Sequence, residues 1–446
     1  MSTFAPELAS LANAVPPSTS FLPPVPQHLD HTGLTPSMLE ALILKKIYYQ
    51  GEIIGRDLAS ALGLYYSLID PIVDNLKRHR MLEVKGSLGF GNISAVFALS
   101  EAGRSRTREC LDENQYSGVA PVPMAQYADG VRAQRSPNGW LTQEALAAAY
   151  RHMVVSPAVL AQIGPAVNSG KSFLIYGQPG NGKTYMAEAL FAVNSSPVFV
   201  PYAIEYQGMI VQIFDPVYHQ LVEGVSTAST TSISAASEYD RRWALCRRPF
   251  LVTGGELNLN MLDLGFSPVS KVYDAPFQLK ANNGIYLIDD FGRQKASPAE
   301  VLNRWIVPMD RRVDYLTFLN GGKVQVPFET FLIFSTNLKP EQLGDEAFLR
   351  RIQYKMLLKS PGEEEFTEIF QRCCAAENLP LADGMLPRFL WKHYRKTGKR
   401  LRRCQPRDII SHAIDLIHFE RAPKDLTEDI LERAFESCFV NTMEDE

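Results

Sequence analysis

The stretch FLIYGQPGNGKTYMAEALF, Phe173 to Phe191, constrains the fold more than any other part of the chain. Phe173 to Tyr176 is an apolar run of strand length, and apolar residues recur at helical spacing after Thr184. Between them lies Gly177-x-x-x-x-Gly182-Lys183-Thr184. Glycines let successive backbone amides turn toward one anionic group, Lys183 adds a point charge, and the Thr184 hydroxyl suits a hard cation. A strand before the loop and a helix after it are the setting in which this pattern cradles phosphates. Binding of nucleotide without turnover stays open on this stretch alone.

Three further stretches set polar residues at the ends of apolar runs. GIYLIDDFG is a strand-like run closing on Asp289 and Asp290, a pair suited to holding a divalent cation and polarising a water. The same pair could simply close a solvated turn. FLIFSTN ends in Ser335, Thr336 and Asn337. DEAFLRRI sets Arg350 beside Arg351, and QPRDII opens a helix with Arg407 in its first turn. Each is weak alone, whereas their order and spacing behind the glycine loop are specific.

As a set, these stretches resemble the AAA+ ATPase family from about Trp140 to the C-terminus. Gly177, Gln178, Pro179, Gly180, Asn181, Gly182, Lys183 and Thr184 match its Walker A loop, and Asp289 and Asp290 match Walker B. Asn337 matches the sensor-1 residue, Arg350 or Arg351 the arginine finger, and Arg407 the sensor-2 arginine. Arg351 is preferred as the finger because it directly precedes the apolar Ile352. The resemblance implies an α/β P-loop core with a parallel sheet and a C-terminal helical lid. It also implies ATP and Mg²⁺ as cofactors, with Thr184 and Asp289 as metal ligands, and a homo-oligomeric, commonly hexameric ring that hydrolyses ATP. Asp290 stands where such a site carries Glu, and its reach is one methylene shorter. A misplacement of about an ångström costs roughly a hundredfold in rate, so a slow but working ATPase is expected rather than a nucleotide clamp.

Phe277, Ala281 and Gly284 ahead of the acidic strand look like the AAA+ branch that carries an inserted loop there. That branch includes bacterial enhancer-binding activators, and the likeness makes Leu257 to Tyr273 the expected substrate-engaging loop. The activators' GAFTGA signature is missing, which argues against transcription activation of their kind. Asn320-Gly321-Gly322 marks the turn of a hairpin just upstream of FLIFSTN.

Closely spaced prolines in VPPSTSFLPPVPQ suggest a disordered tail over 1–33. From Leu34 the order is a helix stopped by Gly51, a short helix ending at Gly63, a longer one through Pro71, and two apolar strands around GSLGFGN. This order resembles an α+β winged-helix domain over 34–114. Lys77, Arg78, His79, Arg80 and Lys85 would face DNA, yet Tyr65, Tyr66, Ser67 and Asp70 occupy the helix start that usually reads bases. DNA binding and a protein-interaction module both stay open. A Pro-punctuated linker over 115–139 leads to the core, 140–340 with an insert at 254–276, and then to the finger segment and lid, 341–446.

A net charge of −4 argues against a chain that binds polyanions over its whole surface. The six cysteines have neither zinc-site spacing nor the density of a disulfide scaffold, and no apolar run reaches the ~20 residues of a membrane span. The chain therefore reads as cytoplasmic. Arg241, Arg242, Arg247 and Arg248 follow a Ser/Thr-rich stretch and read as a solvated loop, with a phosphate or acidic neighbour as the sharper reading. Lys392, Arg395, Lys396, Lys399, Arg400, Arg402 and Arg403 read as a surface or a subunit contact, since aromatic residues stand only at the upstream edge of the cluster. The function expected is remodelling of a protein client by an ATPase ring, the alternative being an ATP-regulated winged-helix DNA-binding protein.

Overall fold

The computed structural model describes residues 21–137, 139–193, 196–222, 239–344 and 346–439. They divide into two compact units. The first lies within Met1–Pro137, Asn194–Leu287 and Gln294–Leu332, the second within Asn138–Val193, Ile288–Arg293 and Ile333–Glu446.

The first unit begins with α1 (Pro36–Gln50), where the Thr35 side chain accepts from the Met38 N–H and Pro36 fits the first turn. After β1 (Glu52–Ile54), α2 (Gly55–Leu62) stops at Gly63, whose φ of 68° needs no Cβ. Then come α3 (Tyr66–Arg78), β2 (Leu82–Ser87), β3 (Ala95–Leu99) and α4 (Glu101–Glu113). The strands form an antiparallel sheet in the order β1-β3-β2. Leu39, Ile43, Leu58, Ile69, Val73 and Phe97 bury the helices against it.

Downstream, the same unit builds a mixed sheet in which Met209–Gln212 lies between Ala203–Tyr206 and Val272–Asp274. The expected hairpin forms, with Val313 opposite Pro327 and Thr317 opposite Lys323. Phe250–Thr253 neighbours Ile285–Ile288, where the Ile285 N–H donates to the Pro249 carbonyl at 2.9 Å. Phe331 in turn donates to the Gly284 carbonyl at 3.0 Å.

Several segments expected to be loose are packed. Residues 1–20 of the proline-rich tail lie outside the described residues, but Phe21 packs against Phe199 and Trp243 and Thr32 is fully buried. In the expected linker, Val122–Pro123 is a strand and Met124–Ala133 a helix that buries Tyr127 and Val131. Apolar spacing prevails over proline punctuation there. Arg242 is no solvated loop residue: it forms a buried ion pair with Asp240 at 2.8 Å and donates to the Thr32 carbonyl, also at 2.8 Å. Arg248 donates inward to Ser196 and to the Asn283 carbonyl, whereas Arg241 and Arg247 are exposed. The Ser/Thr-rich residues 223–238 lie outside the described residues.

The expected substrate-engaging segment is also tied down. Leu257, Leu262, Val272 and Tyr273 are buried, and Val272–Asp274 runs parallel to Met209–Gln212. The Gln115 N–H donates to the Ser270 carbonyl at 2.7 Å and Lys271 donates to the Asp112 carbonyl. Aromatic packing of Tyr273 on Phe266 and Phe318 holds its sheet end.

The second unit contains β4 (Phe173–Tyr176), α5 (Lys183–Ala189), β5 (Phe331–Thr336, from Ile333 onward) and β6 (Tyr354–Leu357). β5 and β6 flank β4, all parallel, with Ile333 and Tyr354 both in register with Phe173. Four further helices follow: α6 (Glu363–Ala376), α7 (Met385–Leu390), α8 (Gln405–Glu420) and α9 (Glu428–Cys438). Phe366, Phe370, Phe389, Ile409 and Phe435 form their core. Between α7 and α8, Lys392 pairs with Glu432, Arg395 with Glu363, and Arg403 with Glu365.

Candidate active site

The candidate site lies wholly in the second unit. β4 delivers the chain into the glycine loop, where Gly177, Gly180 and Gly182 have φ values of 151°, 78° and 81°. These are conformations that L residues rarely adopt. A Cβ on Gly177 would stand 2.4 Å from the Leu358 carbonyl oxygen, and one on Gly180 would stand 2.7 Å from the Cys404 sulfur. The loop is therefore braced from two sides, by the exit of β6 and by the segment entering α8.

Three sequence-distant stretches meet at the end of this loop. Thr184 Oγ1 donates to Asp289 Oδ2 at 2.8 Å. Lys183 Nζ donates to the carbonyls of Gly177 and Gln178 at 3.1 and 3.2 Å and to Asn337 Oδ1 at 2.6 Å. Asn337 Nδ2 then donates to Asp290 Oδ1 at 2.8 Å. The two ends of the Asn337 amide face groups of opposite character, a cation on the oxygen and a carboxylate on the nitrogen. That fixes its orientation chemically. The chain Lys183–Asn337–Asp290 is thus one continuous polar relay, with hydrogen bonds to charged groups at both ends.

Burial lowers the Lys183 pKa, while Asp290 and Asp289 oppose that shift and Arg402 adds to it. A lysine desolvated in this way gains from any additional anion placed nearby. Glu188, one turn into α5, shifts upward through burial and the proximity of Asp289.

The oxygens of Thr184 and Asp289 lie close enough to ligate one cation together. Among the described residues no group of three His, Cys, Asp or Glu side chains could hold a metal. A site of one carboxylate and one hydroxyl suits Mg²⁺, which keeps several waters and shares substrate phosphates.

Other candidates are placed differently. Arg350 is exposed and pairs with Glu346 at 2.8 Å, one helical turn away. The Arg351 carbonyl accepts from Ser172 Oγ at 3.0 Å, which ties its backbone to the start of β4. Arg407 does not reach the glycine loop: its guanidinium is exposed and meets the adjacent Asp408 at 3.3 Å. Arg402 does meet the loop, donating to the Pro179 carbonyl at 2.7 Å, while the Cys404 N–H donates to the Gly180 carbonyl at 2.9 Å. The helix that begins at Gln405 turns Arg407 outward, and the strap before it turns Arg402 inward.

Sequence reasoning also missed Ser360. Asn181 is almost fully buried, and its Nδ2 makes long contacts to the Leu358 carbonyl at 3.5 Å and Ser360 Oγ at 3.4 Å. Nothing in the local pattern of LLKSPG singles that serine out.

Residues 362–437 match a family described as a domain of unknown function, DUF8689. No curated protein matches the chain's sequence. Among solved structures, NtrX from Brucella abortus is similar at 12% identity and a TM-score of 0.40, over 67% of this chain and 58% of NtrX. Domain III of the Thermotoga maritima replication initiation protein DnaA is similar at 14% identity and 0.35, over 67% of this chain and 98% of that domain. A RuvB variant from Thermotoga maritima is similar at 15% and 0.35, over 68% and 73%. At these scores the resemblances identify neither a family nor an activity for this chain.

Proposed function

We propose that the second unit binds ATP with Mg²⁺ and hydrolyses it to ADP and phosphate, as an ATPase of the AAA+ type. The observation that carries this reading is the meeting of Thr184 with Asp289, and of Lys183 with Asn337 and Asp290, at the mouth of a glycine loop. In the roles this gives, the loop amides and Lys183 bind the phosphates, and Thr184 and Asp289 hold the cation. Bound Mg²⁺ would supply charge neutralisation on the phosphate oxygens. Asp290 polarises the attacking water, and Asn337 positions the Asp290 carboxylate through its amide N–H. Lys183 already uses its three donors on protein oxygens, so phosphate would have to replace some of them.

In the same reading the finger arginine is Arg351 or Arg350, acting on a neighbouring copy in a ring, and Arg402 serves as the lid arginine in place of Arg407. The segment 34–114 is taken as a winged helix that recruits a protein client. A DNA partner is less suited to it: Lys77 is engaged by Asp74 and Asn92, and Lys85 by Glu83. The acids Asp70 and Asp74 share that helix face, both accepting from Asn92.

The test is ATP turnover and solution mass for wild type, Lys183→Ala and Asp290→Asn. Wild type should hydrolyse ATP slowly, Lys183→Ala should lose nucleotide binding, and Asp290→Asn should bind but not turn over. Equal turnover by Asp290→Asn and wild type would falsify the role given to Asp290.

A further inference from the structure

The tip between β2 and β3 carries large apolar side chains in the open. Phe90 is 101% exposed, Leu88 72%, and Ile93 45%. Scattered surface apolar residues are ordinary, but three within six residues at one hairpin tip form a presented surface. The tip is also ordered before any partner arrives. Leu88 N–H donates to the Ser94 carbonyl at 2.9 Å, and Ser87 Oγ donates to the Gly89 carbonyl at 2.6 Å. Asn92 clamps the base of the tip onto α3, donating to Asp70 at 3.1 Å and Asp74 at 2.9 Å while accepting from Lys77 at 2.8 Å. Binding there need not first order a loop, so less of the contact energy is lost to ordering.

We propose that this tip is a protein-docking surface in which Leu88, Phe90 and Ile93 insert into an apolar pocket of a partner. The basic side chains rimming that pocket pair with Asp70 and Asp74. The charge on the page selects this occupant. Asp70 and Asp74 stand on the α3 face against which the tip is clamped; of the cations on that side, Lys77 already pairs with Asp74 at 3.2 Å, Arg78 Nε donates to the Asp74 backbone carbonyl at 3.5 Å, and Lys85 pairs with Glu83 at 2.7 Å. A phosphate backbone would meet two carboxylates there, whereas a lysine or arginine would meet a complement. Nothing in this proposal requires nucleotide, so it stands or falls separately from the ATPase reading.

The probe is a random dodecapeptide library displayed on phage and selected against the immobilised full-length protein. Selected peptides are then measured by fluorescence anisotropy against wild type, Phe90→Ser and Leu88→Ser. Both substitutions are on exposed side chains, and an unchanged melting temperature and circular dichroism spectrum confirm that each variant is folded. The expected result is a peptide family combining apolar residues with Lys or Arg, whose affinity falls roughly tenfold or more with Phe90→Ser and weakens with added salt. The proposal is overturned if no such family emerges, if the peptides bind Phe90→Ser as they bind wild type, or if they are acidic. It is equally overturned if a short DNA duplex binds the protein and Phe90→Ser weakens that binding.

Discussion

The backbone at Asp290 is left-handed, with φ of 49°. Asp and Asn enter that region more readily than Glu because their short polar side chains bond locally. An aspartate where a glutamate would give more reach is therefore matched to the turn that carries it. Asp290→Glu should cost roughly 1 kcal/mol of stability and should not raise turnover, whereas Asp290→Asn should keep wild-type stability. Urea denaturation beside an ATPase assay measures both, and a faster, equally stable Asp290→Glu enzyme would overturn this account. His219 makes a second residue-scale case. It is buried, its Nδ1 accepts from the Asp215 N–H at 2.9 Å, and its Nε2 donates to the Lys280 carbonyl at 2.9 Å. Burial is the main cause that lowers its pKa below the ordinary 6.5. The unfolded chain then takes up a proton at a pH where the native one does not, so stability falls as pH drops below about 6.5. The slope from this group is at most about 1.4 kcal/mol per pH unit, and His219→Gln should flatten the melting temperature between pH 7 and 5.

At the scale of elements, the strap before α8 decides which arginine faces the glycine loop. Arg402 and Cys404 bond to the carbonyls of Pro179 and Gly180, and Arg407, three residues further on, points to Asp408 and solvent. Arg402→Ala should weaken ATP binding by roughly tenfold, the scale of a lost charged hydrogen bond, while Arg407→Ala should leave it near wild type. Titration with a fluorescent ATP analogue separates the two, and the reverse ranking would restore Arg407 to the role its motif position suggested. The motif located the start of α8 and Arg407 in its first turn, but QPRDII says nothing of how the preceding turn is aimed, so the contact of Arg402 with the loop was not legible. Helix ends were more legible: Gly51 and Gly63 act within a turn of themselves, so their effect is written locally. The linker was not legible, since Tyr127 and Val131 become core only through partners distant in sequence.

For the whole molecule, binding to the native state alone adds stability. With ATP and Mg²⁺ at about a hundred times the dissociation constant, the protein should gain about 2.7 kcal/mol, seen as a higher melting temperature. EDTA should remove most of that gain and Lys183→Ala all of it. No rise in wild type would show that the glycine loop does not hold nucleotide under those conditions. The sequence by itself determined the strand, glycine loop and helix around Lys183, the acid pair, the polar end of β5 and the helix caps. Each depends on steric freedom or hydrogen bonds within a few residues. Only the tertiary structure decided that Asn337 joins Lys183 to Asp290, that Arg402 rather than Arg407 meets the loop, and that Arg242 is buried. Those outcomes depend on which strand ends and turns are brought together, and a side chain's partner across more than a hundred residues is set by packing rather than by its neighbours in the chain.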